Sequence, residues 1–240
     1  MGCSLNLTWD VLPGLFPGFE ESTHWLPLLR RHAELVDAAA EHTRVTAVEG
    51  SDVIRRHYAE SLELLRIADE VAGRSSVVVD VGSGGGYPGL VIACVRPESM
   101  VHLVEPLQKR ARLLDGMVAE LGLTNVRVHA IRAEEAGRGE LRVAAGLVTA
   151  RAVAALPELL EYTAPLGRDG GWLAFPKGSA AEDELAAAEN AVRLLNCRYA
   201  GTVAMRPEIS EAVGVVLFER RGAVDPKYPR RPGMPRKRPL

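Results

Sequence analysis

Residues 77–89 read Val77-Val78-Val79-Asp80-Val81-Gly82-Ser83-Gly84-Gly85-Gly86-Tyr87-Pro88-Gly89: an apolar β-branched run, a glycine-rich loop and the start of an apolar helix. A short apolar run bounded by turn residues predicts a strand buried on both faces. Downstream, similar runs alternate with helical stretches, the pattern of a parallel sheet covered on both sides. Strands are expected over 76–81, 100–105, 125–131, 145–150, 171–175, 199–205 and 213–219. The last two are joined by too few residues for a crossover helix, so they are expected to be antiparallel neighbours at one sheet edge. The fold class is therefore α/β, a Rossmann-like, seven-stranded, mostly parallel sheet with one antiparallel strand.

Helical periodicity marks the rest. Trp25, Leu28, Leu29, Leu35, Val36 and Ala39 keep a helical period after Thr23, and Ile54, Tyr58, Leu62 and Leu65 do so after a cap at Ser51. Two helices are expected to precede the sheet. Leu107, Ala111, Leu114, Val118 and Leu121 fall on one helix face. Ala181, Leu185, Ala188, Val192 and Leu195 repeat the rule, with Ser179 and Glu182 spaced as a capping box. The expected organisation is one domain over 1–240: an irregular Pro/Gly-rich arm (1–21), a helical extension (22–70), the Rossmann-like core (74–221) and a tail (226–240).

The length of 240 residues suffices for one well-buried domain. At 47% hydrophobic and 25% charged residues, disordered, collagen-like and disulfide-scaffold classes are excluded. The first cation is Arg30, and no apolar run approaches the roughly 18 residues of a membrane span, so an unexported, cytoplasmic protein without a membrane partner is expected. The opening Met1-Gly2-Cys3-Ser4 is acylation-like, but Asn6 stands where that signal needs Ser or Thr. Cys3, Cys94 and Cys197 show no Cys-x-x-Cys spacing, which argues against structural zinc; Cys94 reads as core. The net charge of −2 hides an asymmetry: the tail carries six Lys/Arg and no acid, leaving 23 cations against 31 anions in the other 225 residues. Five prolines there predict an extended strap that forbids a helix and lies apart from the glycine loop.

In an open α/β sheet, ligands bind beyond the carboxyl ends of the strands at the switch point, where this loop lies. Its spacing decides the ligand. Tyr87 occupies the position a dinucleotide fingerprint gives to glycine, and no Gly-Lys-Ser/Thr follows, so both nucleotide-phosphate readings fail. Asp80, Gly82, Gly84 and Gly86 instead resemble the first motif of S-adenosylmethionine methyltransferases. Asp80 is expected to set a negative field near that ligand's ammonium and sulfonium. Glu105 ends the second strand just before Pro106, where a carboxylate can accept ribose hydroxyls. Glu134 follows the third strand, placed for the adenine edge. The Asn/Asp-Pro-Pro-aromatic clamp of adenine amino methylation is absent after the fourth strand, and Cys94 and Cys197 fall in apolar helical patterns, so covalent catalysis is not expected.

Taken together, Asp80 to Leu90, Glu105-Pro-Leu-Gln-Lys-Arg110, Arg132-Ala-Glu134, Thr149-Ala-Arg-Ala-Val153 with Leu156 to Leu160, Lys177-Gly178 and Tyr228-Pro-Arg-Arg-Pro-Gly233 resemble the 16S rRNA guanine-N7 methyltransferases, the glucose-inhibited division protein B family. The likeness spans roughly residues 43–240. It implies a class I methyltransferase fold, S-adenosylmethionine as cofactor, and 16S rRNA or the small ribosomal subunit as partner; a monomer is expected. It places Gly82, Tyr87, Ala133, Glu134 and Arg151 at the cofactor, beside Asp80, Gly84, Gly86 and Glu105. Guanine N7 carries an in-plane lone pair and no proton, so no general base is required and catalysis is by positioning. Arg151 and Lys177, ending strands four and five, are the candidates to grip a phosphate, the guanine O6 or the cofactor carboxylate. Lys177, Arg230, Arg231, Arg236, Lys237 and Arg238 are the expected RNA contacts, and His57 reads as structural. The sequence departs from the family at Arg44-Val-Thr-Ala47, Glu60-Ser-Leu62 and Phe175-Pro176. A same-fold methyltransferase acting on a small molecule or protein, and a non-catalytic RNA-binding relative, are the alternatives.

Overall fold

The computed structural model describes residues 7–40, 48, 50 and 52–240. Cys3, Asn6, Arg44 to Ala47 and the expected cap at Ser51 lie outside these residues. A 3-10 turn at Trp9–Val11 leads into α1 (Leu12–Leu15) and α2 (Ser22–Ala40), and a π-helical stretch at Ile54–Ala59 runs into α3 (Glu60–Ala72). Then follow β1 (Val77–Val81), α4 (Gly89–Val95), β2 (Met100–Val104), α5 (Gln108–Glu120), β3 (Val126–His129), α6 (Ala133–Ala136), β4 (Ala145–Ala150), α7 (Leu156–Thr163) and β5 (Gly167–Lys177). The chain closes with α8 (Ala181–Ala187), α9 (Glu189–Leu194), β6 (Cys197–Ala204), β7 (Gly214–Arg220) and α10 (Met234–Lys237).

The seven strands form one sheet in the order β3-β2-β1-β4-β5-β7-β6. Only β7 runs against its neighbours, pairing antiparallel with both β5 and β6. Along β1, successive side chains point to opposite faces: Val78 joins the core under α2 to α5, while Val79 and Val81 join the core under α6 to α9. Every residue of α4 is buried, which is why its sequence is apolar all round. The chain leaves β1 toward β2 on one side, and β4 pairs on the other, so the switch point lies where Val81 aligns with Val104 and with Ala150. A crevice for ligands opens there.

Several expectations are corrected. The arm is packed, since Leu7, Leu12, Phe16 and Phe19 are buried in the first core. Leu107 is exposed because it sits at the N-cap of α5, before the helical face begins. The expected helix through 181–195 breaks at Ala188, and its capping box is not formed: the N-cap is Ala180, without a side-chain cap bond. Cys197 opens β6 instead of lying in a helix, although both it and Cys94 are buried. Fully buried Arg220 is satisfied by the carbonyls of Ala164, Leu195, Asn196 and Gly222.

The tail differs most. Tyr228 is buried, Arg138 donates to the Pro229 carbonyl at 2.8 Å, and Arg142 donates to the carbonyls of Tyr228 (2.8 Å) and Val224 (3.0 Å). Gly233, at φ +80°, turns the chain into the single helical turn α10. Pro235 is tolerated because it falls in the first turn, where its missing N–H has no partner to lose. Among the described residues no helix is long and apolar enough to cross a membrane.

Candidate active site

Gly82, Gly84 and Gly86 take φ of +72°, +54° and +94°, a left-handed backbone that side chains disfavour. The loop is closed from within by Ser83, whose carbonyl accepts Gly86 N–H at 2.7 Å and Tyr87 N–H at 3.2 Å. It is also pinned from outside. Gly82 N–H donates to the Val104 carbonyl at 2.8 Å, and Glu105 accepts Gly84 N–H at 3.0 Å and Leu107 N–H at 2.9 Å. A Cβ on Gly82 would stand 2.6 Å from Val153 Cγ2, so glycine is needed for close approach as well as for φ.

Asp80 is turned inward. It is fully buried, accepts Thr149 Oγ1–H at 2.9 Å and Gly89 N–H at 3.2 Å, and burial pushes its carboxyl up to about 6. Its carboxylate fastens the loop to β4 and α4 from behind. Glu105 is only 3% exposed, and the two backbone bonds leave its carboxylate further lone pairs with which to accept.

Beyond the loop lies a cavity of about 600 Å³ lined by Gly82 to Gly85, Tyr87, Arg151 and Lys177, joined by Arg56, His57, Glu60 and Arg110. The His57 ring stacks on Tyr87 with centroids 4.3 Å apart, and the Arg151 guanidinium lies 5.3 Å from the Tyr87 ring centre. Arg151 donates to the Arg56 carbonyl and, at 2.9 Å, to His57 Nδ1, with Glu60 4.0 Å away. Burial, reinforced by the Arg151 charge, drives His57 down to about 3, so the ring is neutral. Burial also lowers the Arg151 pKa and raises that of Glu60. Lys177 donates to the Ala154 carbonyl and to Glu184, each at 2.7 Å, and Glu184 also accepts Leu156 N–H. Its ammonium thus holds the 151–156 turn in place, a correction to its expected role as an RNA contact.

A second cavity, about 440 Å³, shares Gly82 and extends toward α6. Ala133 and Glu134 line it with Val81, Val104 and Val153, and Arg236 of the tail reaches it. The tail is therefore not apart from the loop's ligand crevice, as its composition suggested. Arg230 also leaves its expected place among RNA contacts, because it donates to fully buried Glu161 at 2.8 and 2.6 Å. Arg231, Lys237 and Arg238 are exposed. Arg56, Glu60, Arg110 and Tyr162 were not anticipated as cavity residues, because nothing local in the sequence says which way their side chains turn. Among the described residues no group of His, Cys, Asp and Glu is arranged to hold a metal ion.

Residues 27–209 match the family model of GidB, rRNA small subunit methyltransferase G. The chain belongs to this family. Among the ribosomal RNA small subunit methyltransferases G it resembles, that of Rubrobacter xylanophilus is 37% identical over 93% of this chain and 87% of its own. That of Sorangium cellulosum is 40% identical over 76% and 72% of the two chains. Among solved structures, MtNAS in complex with S-adenosylmethionine superposes with a TM-score of 0.55 at 16% identity, covering 92% of this chain and 80% of that one. The 16S rRNA adenine-N1 methyltransferase from Catenulisporales acidiphilia gives 0.52 at 17% identity, over 68% and 93%. These two likenesses establish the fold, and the family match makes the chain a methyltransferase.

Proposed function

We propose that this methyltransferase transfers a methyl group from S-adenosylmethionine to N7 of one guanine in 16S rRNA, working in the cytoplasm as a monomer and as one domain from arm to tail. The observation that carries the reading is the glycine loop, three of whose residues are left-handed, opening on two cavities that meet at Gly82. The fit to the cofactor is one of shape and donors. Gly82, Gly84 and Tyr87 would hold the amino-acid end, Glu105 the ribose, Ala133 and Glu134 the adenine, and Arg151 the side facing substrate; Gly86, expected at the cofactor, instead packs against Leu90 and His32 behind the loop. Asp80 supports this set from behind.

Bound S-adenosylmethionine supplies a methyl group activated by its sulfonium. The protein's task is alignment and exclusion of water. His57, neutral and bonded through Nδ1 to Arg151, takes no proton, and attack by N7 asks for none. Its stacking on Tyr87 and the Arg151 bonds to the π-helical stretch fix the cavity wall against which a guanine would be placed. The methylated base is cationic, and Glu60 on the same wall balances Arg151 there. The exposed cations Arg231, Lys237 and Arg238, with Arg56 at the cavity, are the groups suited to RNA phosphates.

The test is to map 7-methylguanosine in 16S rRNA from cells with and without this protein. Loss of one modified guanine supports the proposal. An identical modification map rejects it.

A further inference from the structure

The second cavity has an inner wall of Val81, Val104 and Ala133, and an outer rim completed by Tyr162 and by Arg236 of the tail. That rim is held by a built docking surface. Gly233 N–H donates to Glu134 Oε1 at 2.8 Å across 99 residues of chain. Three residues earlier, Arg230 spans the two oxygens of Glu161, whose side chain is fully buried, and its backbone N–H donates to the same group at 2.8 Å. Pro235, next to Arg236, is itself buried. Arg236 is thus delivered to the cavity by anchors on both α6 and α7, while its own side chain takes no part in the anchoring.

We infer that Arg236 is a cofactor-binding residue, closing the adenine end of the site as a lid carried by the tail; this rests on the S-adenosylmethionine reading above. The chemistry of the slot suits a purine. Valine and alanine side chains offer apolar contact to a flat base, and Glu134 offers an acceptor to an exocyclic amino group. A guanidinium is planar, weakly hydrated and stacks on aromatic faces, which a lysine ammonium does not do as well. Glu134 serves both parties, since it anchors Gly233 and lines the cavity. Binding at that carboxylate and docking of the tail are therefore linked, and linkage is reciprocal: a ligand that favours the docked tail is itself bound better because the tail docks.

The experiment uses S-adenosylhomocysteine as probe with the full-length protein, by calorimetry and by hydrogen exchange over residues 228–238. Arg236 is itself exposed, so Arg236→Ala is expected to weaken binding about two- to fivefold, the range of a cation–π contact at an exposed site, with Arg236→Lys in between. Lys227→Ala, on the exposed start of the tail, serves as control and is expected to bind as wild type. Exchange over 228–238 is expected to slow when the probe binds. Wild-type affinity in Arg236→Ala overturns the inference, as does tail exchange indifferent to the probe. If the wild-type protein fails to bind S-adenosylhomocysteine at all, the cofactor reading itself falls, an outcome distinct from a defect confined to Arg236.

Discussion

His32 Nε2 and the carbonyl oxygen of Gly85 stand 2.9 Å apart, so the first long helix grips the glycine loop directly. The carbonyl can only accept, which places the proton on Nε2; Nδ1 must then accept from Tyr58 O–H at 3.1 Å, and Tyr58 in turn accepts from Tyr87 O–H at 3.0 Å. A directed chain of hydrogen bonds therefore runs from α2 through the π-helical stretch back to the residue that ends the loop.

That chain requires a neutral His32, and burial pulls its pKa down to about 4. Since the folded value lies below the unfolded value, the unfolded chain binds the extra proton, and stability falls as pH drops below about 6.5 toward 4. At pH 5 this one histidine would account for up to about 2 kcal/mol. Asp80, raised to about 6, works in the opposite sense, gaining stability as pH falls through that value. Urea unfolding at pH 7 and pH 5 is expected to show a flatter pH dependence for His32→Gln than for wild type. Parallel behaviour of the two proteins would remove His32 from the acid response.

Gly82→Ala is expected to weaken S-adenosylhomocysteine binding more than tenfold, because the new Cβ meets Val153 Cγ2 at 2.6 Å and the backbone sits at φ +72°. The folding cost is expected to be about 1–2 kcal/mol. Gly84→Val, with a branched side chain at φ +54°, is expected to abolish binding. Calorimetry and thermal unfolding read the two effects separately.

For Glu105→Ala, the N–H groups of Gly84 and Leu107 lose their acceptor, a penalty of about 1–3 kcal/mol each where water does not reach them. Both Tm and cofactor affinity are expected to drop. Glu105→Gln, which keeps one acceptor oxygen, is expected to lose less of each.

Arg151→Ala is expected to lower methyl transfer about a hundredfold through loss of alignment, with a smaller proportional effect on Tm. The guanidinium ties the Arg56 carbonyl and His57 to the end of β4. Single-turnover rates on a 16S rRNA fragment check this, and full activity in the variant would take Arg151 out of the site.

Arg230→Met leaves Glu161 buried without its partner, which is expected to cost about 3–5 kcal/mol. Adding Glu161→Leu is expected to recover much of that loss, since two apolar groups replace an ion pair at little net cost. Thermal unfolding of the single and double variants decides between an ion pair that matters and one that does not.

The sheet was legible because its central strands β1, β2, β4 and β7 carry apolar runs of their own, and β1 with its glycines announces both the crevice and the left-handed backbone. Glu105 was legible from its place at a strand end. The direction in which Asp80 points was not, because it depends on Thr149 and Gly89, partners brought close only when β4 and α4 pack. The tail was misread for a related reason. Proline content argues locally for an extended strap, whereas the docked path is set by Glu134 and Glu161, which lie 99 and 69 residues away in the chain. Lys177 looked like a free cation until Glu184, one helix further on, accounted for it.

The Arg230–Glu161 pair also sets a condition on synthesis. The helix bearing Glu161 is made long before Arg230 emerges, and its carboxylate is fully buried in the finished fold. A chain broken off after β7 but before Arg230 has all seven strands, yet its interior holds an uncompensated charge. Such a product is marked for unfolding by its own chemistry, so Arg230 reports that synthesis has passed the last strand.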